Sequence, residues 1–524
     1  MNEESRIPSH WQWVPLIEIS DVIPGNSPPS KTYNEHGEGL PFYQGKTEFG
    51  EIYPKPTKWC TSPKKVAQEG DVLLSVRAPV GPTNLCPEKS CIGRGLTAIR
   101  PKAGIEARYV LWAIRAHENS LARKGTGTTF DSISSDDVRN FEIPLAPSPE
   151  QKCIVARIEE LFSNLDAGVG ALETAGRQLD RYRLSVLQAA VEGRLTADWR
   201  RTHDPEPTDR LLERILEERR EQWTEDYRAK YEAKGKEPPS GWKSRYTAPD
   251  DPDTENLPEL PDGWIWTNIE NVCIVYGGVT KNARKGGDLV EMPYLRVANV
   301  YANELRLDEI KQIKVKRNRL YKYFLEEGDL LVVEGNGSKS QIGRVARWDG
   351  SIDPCVHQNH LFKVRPMLQQ MGQYLLWWML SPNGRSYITK VASSTSGLYT
   401  LSMTKIRSLP VPLPPLAEQK QLVDEIERLL SVADDAAVTA DREHTRAERL
   451  RQSILKQAFS GRLVPHDEDV TPPAIETSSS NGKGQDSPGD TGSSTEEDSS
   501  DEDDVIAEEL HNDGDPGEQI EMDL

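Results

Sequence analysis

The stretch PLAPSPEQKCIVARIEELFSNLD, Pro144–Asp166, returns as PLPPLAEQKQLVDEIERLLSVAD, Pro412–Asp434, with 12 of 23 positions identical and no gap. The copies are offset by 268 residues. Solenoid repeats have periods of roughly 20 to 50 residues, so the duplicated unit is the size of a domain. In each copy a proline-rich segment leads through Glu-Gln-Lys into a helical pattern. From Glu150 to Glu192 apolar or small residues recur at heptad spacing. One seam is Ile154, Leu161, Gly168, Ala175, Tyr182 and Ala189; the other is Ile158, Leu165, Leu172, Leu179 and Val186. The second copy carries Leu422, Ile426, Leu429, Ala433, Ala436, Ala440, Ala447, Leu450 and Ile454, with Glu443 as a charged interruption. At about 1.5 Å per residue, each pattern predicts a rod of about 64 Å. A heptad seam wants another helix, and the economical solution packs the two copies on each other, with glycines and alanines letting the backbones approach.

The duplication reaches well beyond this stretch. IPSHWQWVPLIEISDVIPG (7–25) is echoed by LPDGWIWTNIENVCIVYGG (260–278), EGDVLLSVRAP (69–79) by EGDLLVVEGNG (327–337), and YVLWAI (109–114) by YLLWWM (374–379). YRLSVLQAAVEGRLT (182–196) is echoed by ERLRQSILKQAFSGRLV (448–464). VLLSVRA and LLVVEG are short apolar runs bounded by Gly, Asp or Pro, as buried strands are. Between these anchors the copies diverge in length and chemistry, so a constant frame holds two variable inserts. Residues 197–260 join them as a highly charged helix followed by a proline-rich tether, read as a surface-lying connector.

A chain of 524 residues is too long for one core. Its net charge of -19 sits at one end: residues 465–524 hold 20 acids and one base, Lys483, and residues 1–464 balance at 63 of each. That Ser/Gly/Asp-rich tail lacks the apolar side chains that would offset chain entropy, which predicts disorder and a solubilising role. The six cysteines are scattered with no C-x-x-C, against a zinc site. The N-terminus shows no signal-peptide pattern, and the longest apolar run, YLLWWML at 374–380, is far short of a membrane span. These features predict a reduced, cytoplasmic protein with no membrane partner.

Catalytic motifs fail one by one. QGKT (44–47) lacks the earlier glycine of a phosphate-binding loop, with Leu40 in its place. NSPPS (26–30) has Ser30 where the Pro-Pro-aromatic motif of adenine methyltransferases places a ring to stack on a flipped base. GNG (335–337) is too little for a dinucleotide, and HQNH (357–360) lacks the helical spacing and glutamate of a zinc hydrolase. No metal site and no catalytic residue is predicted.

Binding does better. Residues 264–410 hold 20 Lys/Arg against 12 Asp/Glu, and residues 11–147 hold 16 against 15. A basic excess supplies phosphate affinity, and base edges are read by Arg, Lys, Asn, Gln, Ser and Thr. Those types gather in the inserts. The first offers Gln44, Lys46, Thr47, Arg77, Arg94, Lys124, Thr126 and Thr128 as candidate DNA contacts. The second offers Arg296, Asn299, Asn336, Ser338, Lys339, Gln341, Gln358, Asn359, Ser394 and Ser396. Singly, each is more often a solvated loop residue; as a set present in both inserts they predict recognition surfaces.

The chain resembles the specificity (S) subunit of type I restriction-modification systems. The carriers are W-x-W at Trp11/Trp13 and Trp264/Trp266, GNSPPSKTYNEHGEGLPFYQGK (25–46), SVRAPVG (75–81), IGRGLTAIRP (92–101), EGRLTADWR (192–200), and P-L-x-P-x-x-E-Q-K before a long helix, twice. The resemblance spans nearly all of 7–464. It implies a mixed α/β fold: two target-recognition domains, at 7–148 and 261–415, held apart by two long antiparallel coiled-coil helices, at 149–196 and 416–464, in a pseudo-twofold repeat. It implies that each domain reads one half of an asymmetric, interrupted site in double-stranded DNA. The helices would dock two methyltransferase (M) subunits, with restriction (R) subunits joining. Ile158, Leu165, Leu172, Leu179, Leu422, Ile426, Leu429, Leu450 and Ile454 are the expected docking-helix positions. S-adenosylmethionine, ATP and Mg²⁺ would belong to the partner chains, and this chain would not itself be an enzyme. Two other classes stay open at this point: a coiled-coil scaffold that reads no DNA, and a fused methyltransferase-nuclease, which the missing motifs disfavour.

Overall fold

The computed structural model describes residues 7–124, 132–232, 235–280, 288–395 and 397–465. They belong to one unit, and the acidic tail lies outside the described residues.

The duplication is present strand by strand. Gln12–Pro15 pairs antiparallel with Glu142–Leu145, and Ile265–Asn268 pairs with Pro410–Leu413, so each domain closes its own beginning onto its own end. The register repeats: Trp13 faces Pro144, and Trp266 faces Pro412. A four-stranded antiparallel sheet follows in each. In the first domain its order is Ser20–Pro24, Leu96–Pro101, Val72–Ser75, Thr83–Leu85; in the second it is Cys273–Gly277, Leu361–Pro366, Leu330–Val333, Val345–Arg347. The two apolar runs read as strands are inner members of these sheets, all four residues of each being buried. Buried helices Ala107–Ala116 and Gly372–Leu380 pack beside the sheets.

Polar anchors repeat with the frame. Asp71, 1% exposed, takes two hydrogen bonds from Arg100, at 2.9 and 2.8 Å. Asp329, also 1% exposed, takes two from Arg365, at 2.7 and 2.8 Å. A buried carboxylate needs such a forked partner to offset its desolvation. The hydroxyls of Tyr109 and Tyr374 donate to the carbonyls of Pro144 and Pro412, at 2.7 and 2.6 Å.

The proline-rich lead into Glu-Gln-Lys is the root of each long helix. Gln151 Nε2 donates to Ala146 O at 2.8 Å, and Gln419 Nε2 donates to Pro414 O at 2.9 Å. Each glutamine thereby satisfies a carbonyl of the turn that feeds the helix. The glutamates take the tryptophan indoles: Trp11 Nε1 donates to Glu150 at 3.0 Å, and Trp264 Nε1 donates to Glu418 at 2.9 Å. Beyond them run the helices Ser148–Val191 and Leu416–Phe459, 44 residues each, packed on one another. The first stops at Val191, and 192–196 is a turn in which Gly193 takes a positive φ of 67° that a side chain would strain.

Some docking positions and one stretch of the seam are corrected. Ile158, Leu422 and Ile426 are almost wholly buried where the helices root in the domains, which leaves no surface for a partner. Leu165, Leu172, Leu179, Leu429 and Ile454 are half-buried, and Leu450 is 42% exposed. The buried positions near that end are instead Ala447, Leu455, Ala458 and Phe459, the last with its ring 5.2 Å from that of Tyr109 in the first domain. Glu443 does not interrupt it: the side chain is exposed and pairs with Arg446 one turn on, at 3.4 Å. A Cβ built on Gly168, Gly170 or Gly176 would meet nothing within 4 Å, so these glycines are not there for close backbone approach.

The connector helix, Thr208–Glu232, is also more than a surface strap. Leu211 and Ile215 are fully buried in the core of the second domain, and Arg219 donates to the carbonyl of Cys273 at 2.7 Å. Two such side chains contribute roughly 1.5–3 kcal/mol each on burial. Its exposed part carries an aromatic ladder in which Tyr227 stacks on Trp242 at 5.0 Å, tying the tether back to the helix.

Candidate nucleic-acid interface

In the first domain three separate loops meet. Gly25 leads out of one strand, Gln44 follows another, and Gly93-Arg94-Gly95 joins Ser90–Ile92 to Leu96–Pro101. Gly93 N–H donates to Tyr43 O at 2.8 Å, Asn26 N–H to Ile92 O at 3.0 Å, and Val76 N–H to Gly95 O at 2.9 Å. A Cβ on Gly25 would sit 2.2 Å from Gly93 O, and one on Gly95 would sit 2.3 Å from Gln44 O. Only glycine lets these backbones touch. The result is an open cleft of about 570 Å³, lined by Ser27, Gln44, Lys46, Thr47, Arg77 and Arg94 among others. Five residues chosen from sequence as separate candidates are thus brought into one place.

The backbone of this cleft is fixed by side chains that sequence reasoning missed. Ser27 Oγ accepts from Arg94 N–H at 3.2 Å, and Glu48 Oε2 accepts from the N–H groups of Gln44 and Gly45, at 3.3 and 3.1 Å. Ser27 lies in the NSPPS stretch, 67 residues from Arg94 in the chain, and nothing local in the sequence pairs the two. Lys124 is exposed, with its ammonium 5.4 Å from the centre of the Phe141 ring. Thr126 and Thr128 lie outside the described residues.

The second domain repeats the loop junction with other residues. Gln358 N–H donates to Leu295 O at 2.9 Å, and Val279 N–H donates to His357 O at 2.8 Å. A Cβ on Gly278 would sit 2.2 Å from Gln358 O. Gln358 and Asn359, both half-exposed, therefore occupy the ground of Gly93 and Arg94, beside His360, whose ring bonds Glu334 at 3.0 Å. A small sheet of this domain is represented among the described residues of the first domain only by the backbone bridge between Arg77 and Ser132. In it Gly335–Asn336, Leu398–Thr400 and Ser393–Thr395 lie in that spatial order with Leu398–Thr400 central, and Asn336 and Ser394 flank Tyr399. The adjoining loop holds Ser338, Lys339 and Gln341, all exposed, and Arg385 pins it by donating to the carbonyls of Ser340 and Gly343, at 3.1 and 2.9 Å. Arg385 carried no sequence signal. Ser396 lies outside the described residues.

Two candidates are corrected. Asn299 is 3% exposed, accepts from Arg296 N–H at 2.9 Å and donates to Arg306 O at 2.7 Å. Its amide is spent capping the short turn Val297–Asn299, so it cannot reach a base. Arg296 is mostly buried and committed, donating to Glu309 O at 3.0 Å beside the Glu309 carboxylate at 3.4 Å.

Beneath the second junction lie buried ionisable groups. His357, fully buried, is held down to about 3, first by desolvation and then by the Lys363 charge. Lys363, 1% exposed, donates to the carbonyls of Lys322 and Phe324, at 3.2 and 2.8 Å, and burial pushes it down to about 8. Both are core groups. Among the described residues no group of three or more His, Cys, Asp or Glu could hold a metal ion, and no helix is long and apolar enough to cross a membrane.

Residues 8–169 and 261–435 match the family model described as the type I restriction modification DNA specificity domain, once for each half. A type I restriction enzyme specificity subunit of Salmonella potsdam (StySPI) is 24% identical over 88% of this chain and 90% of its own length. That of Escherichia coli K12 (EcoKI) is 22% identical over 88% and 90%. A putative MjaX specificity subunit of Methanocaldococcus jannaschii is 36% identical over 37% of this chain and 45% of its own. Among solved structures, the HsdS subunit of Thermoanaerobacter tengcongensis is 18% identical over 87% of this chain and 98% of its own, with a TM-score of 0.47. The chain belongs to the type I restriction-modification DNA specificity family, as a non-catalytic specificity subunit.

Proposed function

We propose that the two domains read the two halves of an interrupted, asymmetric site in double-stranded DNA. The observation that carries this is the contrast between frame and insert. Trp11–Glu150 and Trp264–Glu418, Asp71–Arg100 and Asp329–Arg365, and the two tyrosine-to-carbonyl bonds repeat nearly atom for atom. The polar rims differ, with Arg77 and Arg94 in one and Asn336, Gln358 and Asn359 in the other. Two surfaces of one fold with different donors and acceptors suit two different base sequences.

The paired helices set the spacing between readers and offer a docking surface for two methyltransferase (M) subunits, with restriction (R) subunits joining the complex in the cytoplasm. The exposed Tyr182, Leu184, Val432, Val438 and Leu450 on those helices support this role. S-adenosylmethionine, ATP and Mg²⁺ serve the partner chains. Exchanging residues 10–148 for the corresponding domain of another specificity subunit tests the reading. One half of the methylated motif should change, and a change in both halves together, or in neither, would overturn it.

A further inference from the structure

In the first-domain cleft the backbone is fixed while certain side chains are left free. Arg94 stands between two glycines wedged against neighbouring loops, its N–H on Ser27 Oγ. The Arg77 carbonyl accepts from Ser75 Oγ at 3.1 Å, and its backbone bridges to Ser132. Yet both side chains are exposed, and neither guanidinium makes a hydrogen bond or ion pair with any described residue. Elsewhere in the domain Arg100, Arg108, Arg115 and Arg139 are engaged, by Asp71, Glu159, Thr83 and Asp136, and the exposed Arg123 lies outside the cleft lining. Exposed guanidiniums are held by water alone, and two of them on one rim with no partner among the described residues are available to pair with an arriving ligand.

On the reading that this domain binds a half-site, we propose that the cleft reads guanine. Arg77 and Arg94 present their forked N–H groups to the O6 and N7 acceptors of guanines in the major groove, while Lys46, on the turn beside them, meets phosphate. The fork matches the guanine edge, and no other base offers two acceptors side by side there. A lysine ammonium is a point charge suited to a phosphate oxygen. An arginine serving only phosphate would not need its backbone wedged between three loops.

The test uses the full chain assembled with the methyltransferase partner of its own system, with methylated sites mapped across a genome. The half-site that follows residues 10–148 in the domain exchange should contain at least one G·C pair. Arg94→Gln, Arg77→Gln or both should relax discrimination at such a pair by about ten- to a hundredfold and leave the other half intact. Arg→Lys at the same positions should relax it as well, because charge survives and the fork does not. Lys46→Ala should lower methylation at all sites alike and flatten its salt dependence. Co-purification with the partner establishes that each variant is assembled.

A half-site without any G·C pair would overturn the proposal. So would arginine variants that scale down every site evenly with base preference unchanged, which marks phosphate contacts. If the domain exchange moves no half-site, the two-reader model fails, whichever bases the motif contains.

Discussion

Arg183 Nη2 donates to Asp434 Oδ1 at 2.7 Å across the paired helices, and Arg451 meets Asp166 in the same way. Arg183 and Arg451 are offset by 268 residues, as are Asp166 and Asp434, so the two bridges are one contact made twice by exchanging the copies. The internal twofold is therefore fixed by named charges as well as by apolar packing. Both pairs are partly open to water, where such bridges contribute at most about 1 kcal/mol and chiefly select orientation and register. A double-mutant cycle with Arg183→Ala and Asp434→Ala, followed by denaturant unfolding, should return a coupling below about 1 kcal/mol. A coupling of several kcal/mol would mean that the bridge, and not the seam, holds the helices.

Glu418 is a different case. It is wholly buried, and Thr196 Oγ1 at 2.5 Å, the Trp264 indole at 2.9 Å and Arg200 all donate to it. It joins the turn after the first long helix, the start of the second and the base of the second domain at one carboxylate. Removing one partner of a buried pair leaves an uncompensated charge, at a cost of about 3–5 kcal/mol. Glu418→Ala should lower the denaturant midpoint more than Glu150→Ala, because the Glu150 carboxylate remains 12% exposed. Equal losses would show that the Arg200 contact adds nothing.

The duplicated frame was legible because its signals are local: a repeated string, heptad spacing, and apolar runs between turn residues. The pairings were not. Trp11 and Glu150 stand out as repeated positions, but 139 residues separate them, and nothing in either neighbourhood says that they touch. Leu450 fits a heptad count and still faces outward, while Ala447 and Leu455 turn inward. Asp166 and Asp434 close the repeated stretch, but counting apolar residues alone gave no reason to pair them with Arg451 and Arg183. At the site, residue type pointed to the Arg77 and Arg94 cleft. It misread Asn299, because an amide that caps a turn and one that reads a base look alike in sequence.

Lys363 gives a pH signature. Burial lowers its ammonium to about 8, against an ordinary 10.5. Between about pH 8 and 10.5 the unfolded chain holds this proton while the folded chain has released it, so stability rises with pH across that window. Below about pH 8 the folded protein carries the full penalty of the buried charge, on the order of 3 kcal/mol. Lys363→Met should flatten the rise relative to the parent chain when unfolding is followed from pH 7.5 to 10.5. Parallel curves for the two proteins would place the lysine outside the linkage.

Lengthening the paired helices should change the gap between half-sites and not their bases. The two bridges say where to insert. Residues 166–183 of one helix and 434–451 of the other run side by side between the Asp166–Arg451 and Arg183–Asp434 contacts. Adding four residues to both segments, within 167–175 and 435–440, moves the domains apart by about 6 Å and leaves each bridge within its own half. Duplex DNA rises about 3.4 Å per base pair, so the preferred gap should grow by at most about two base pairs. Four residues also turn a helix by about 400°, some 40° past a full turn, which the half-buried middle of the seam can absorb. Two residues turn it by about 200° and should cost assembly with the methyltransferase instead. Mapping the methylated motif of the four-residue variant decides the matter: an unchanged gap in an assembled complex would mean that some other element sets the distance between the readers.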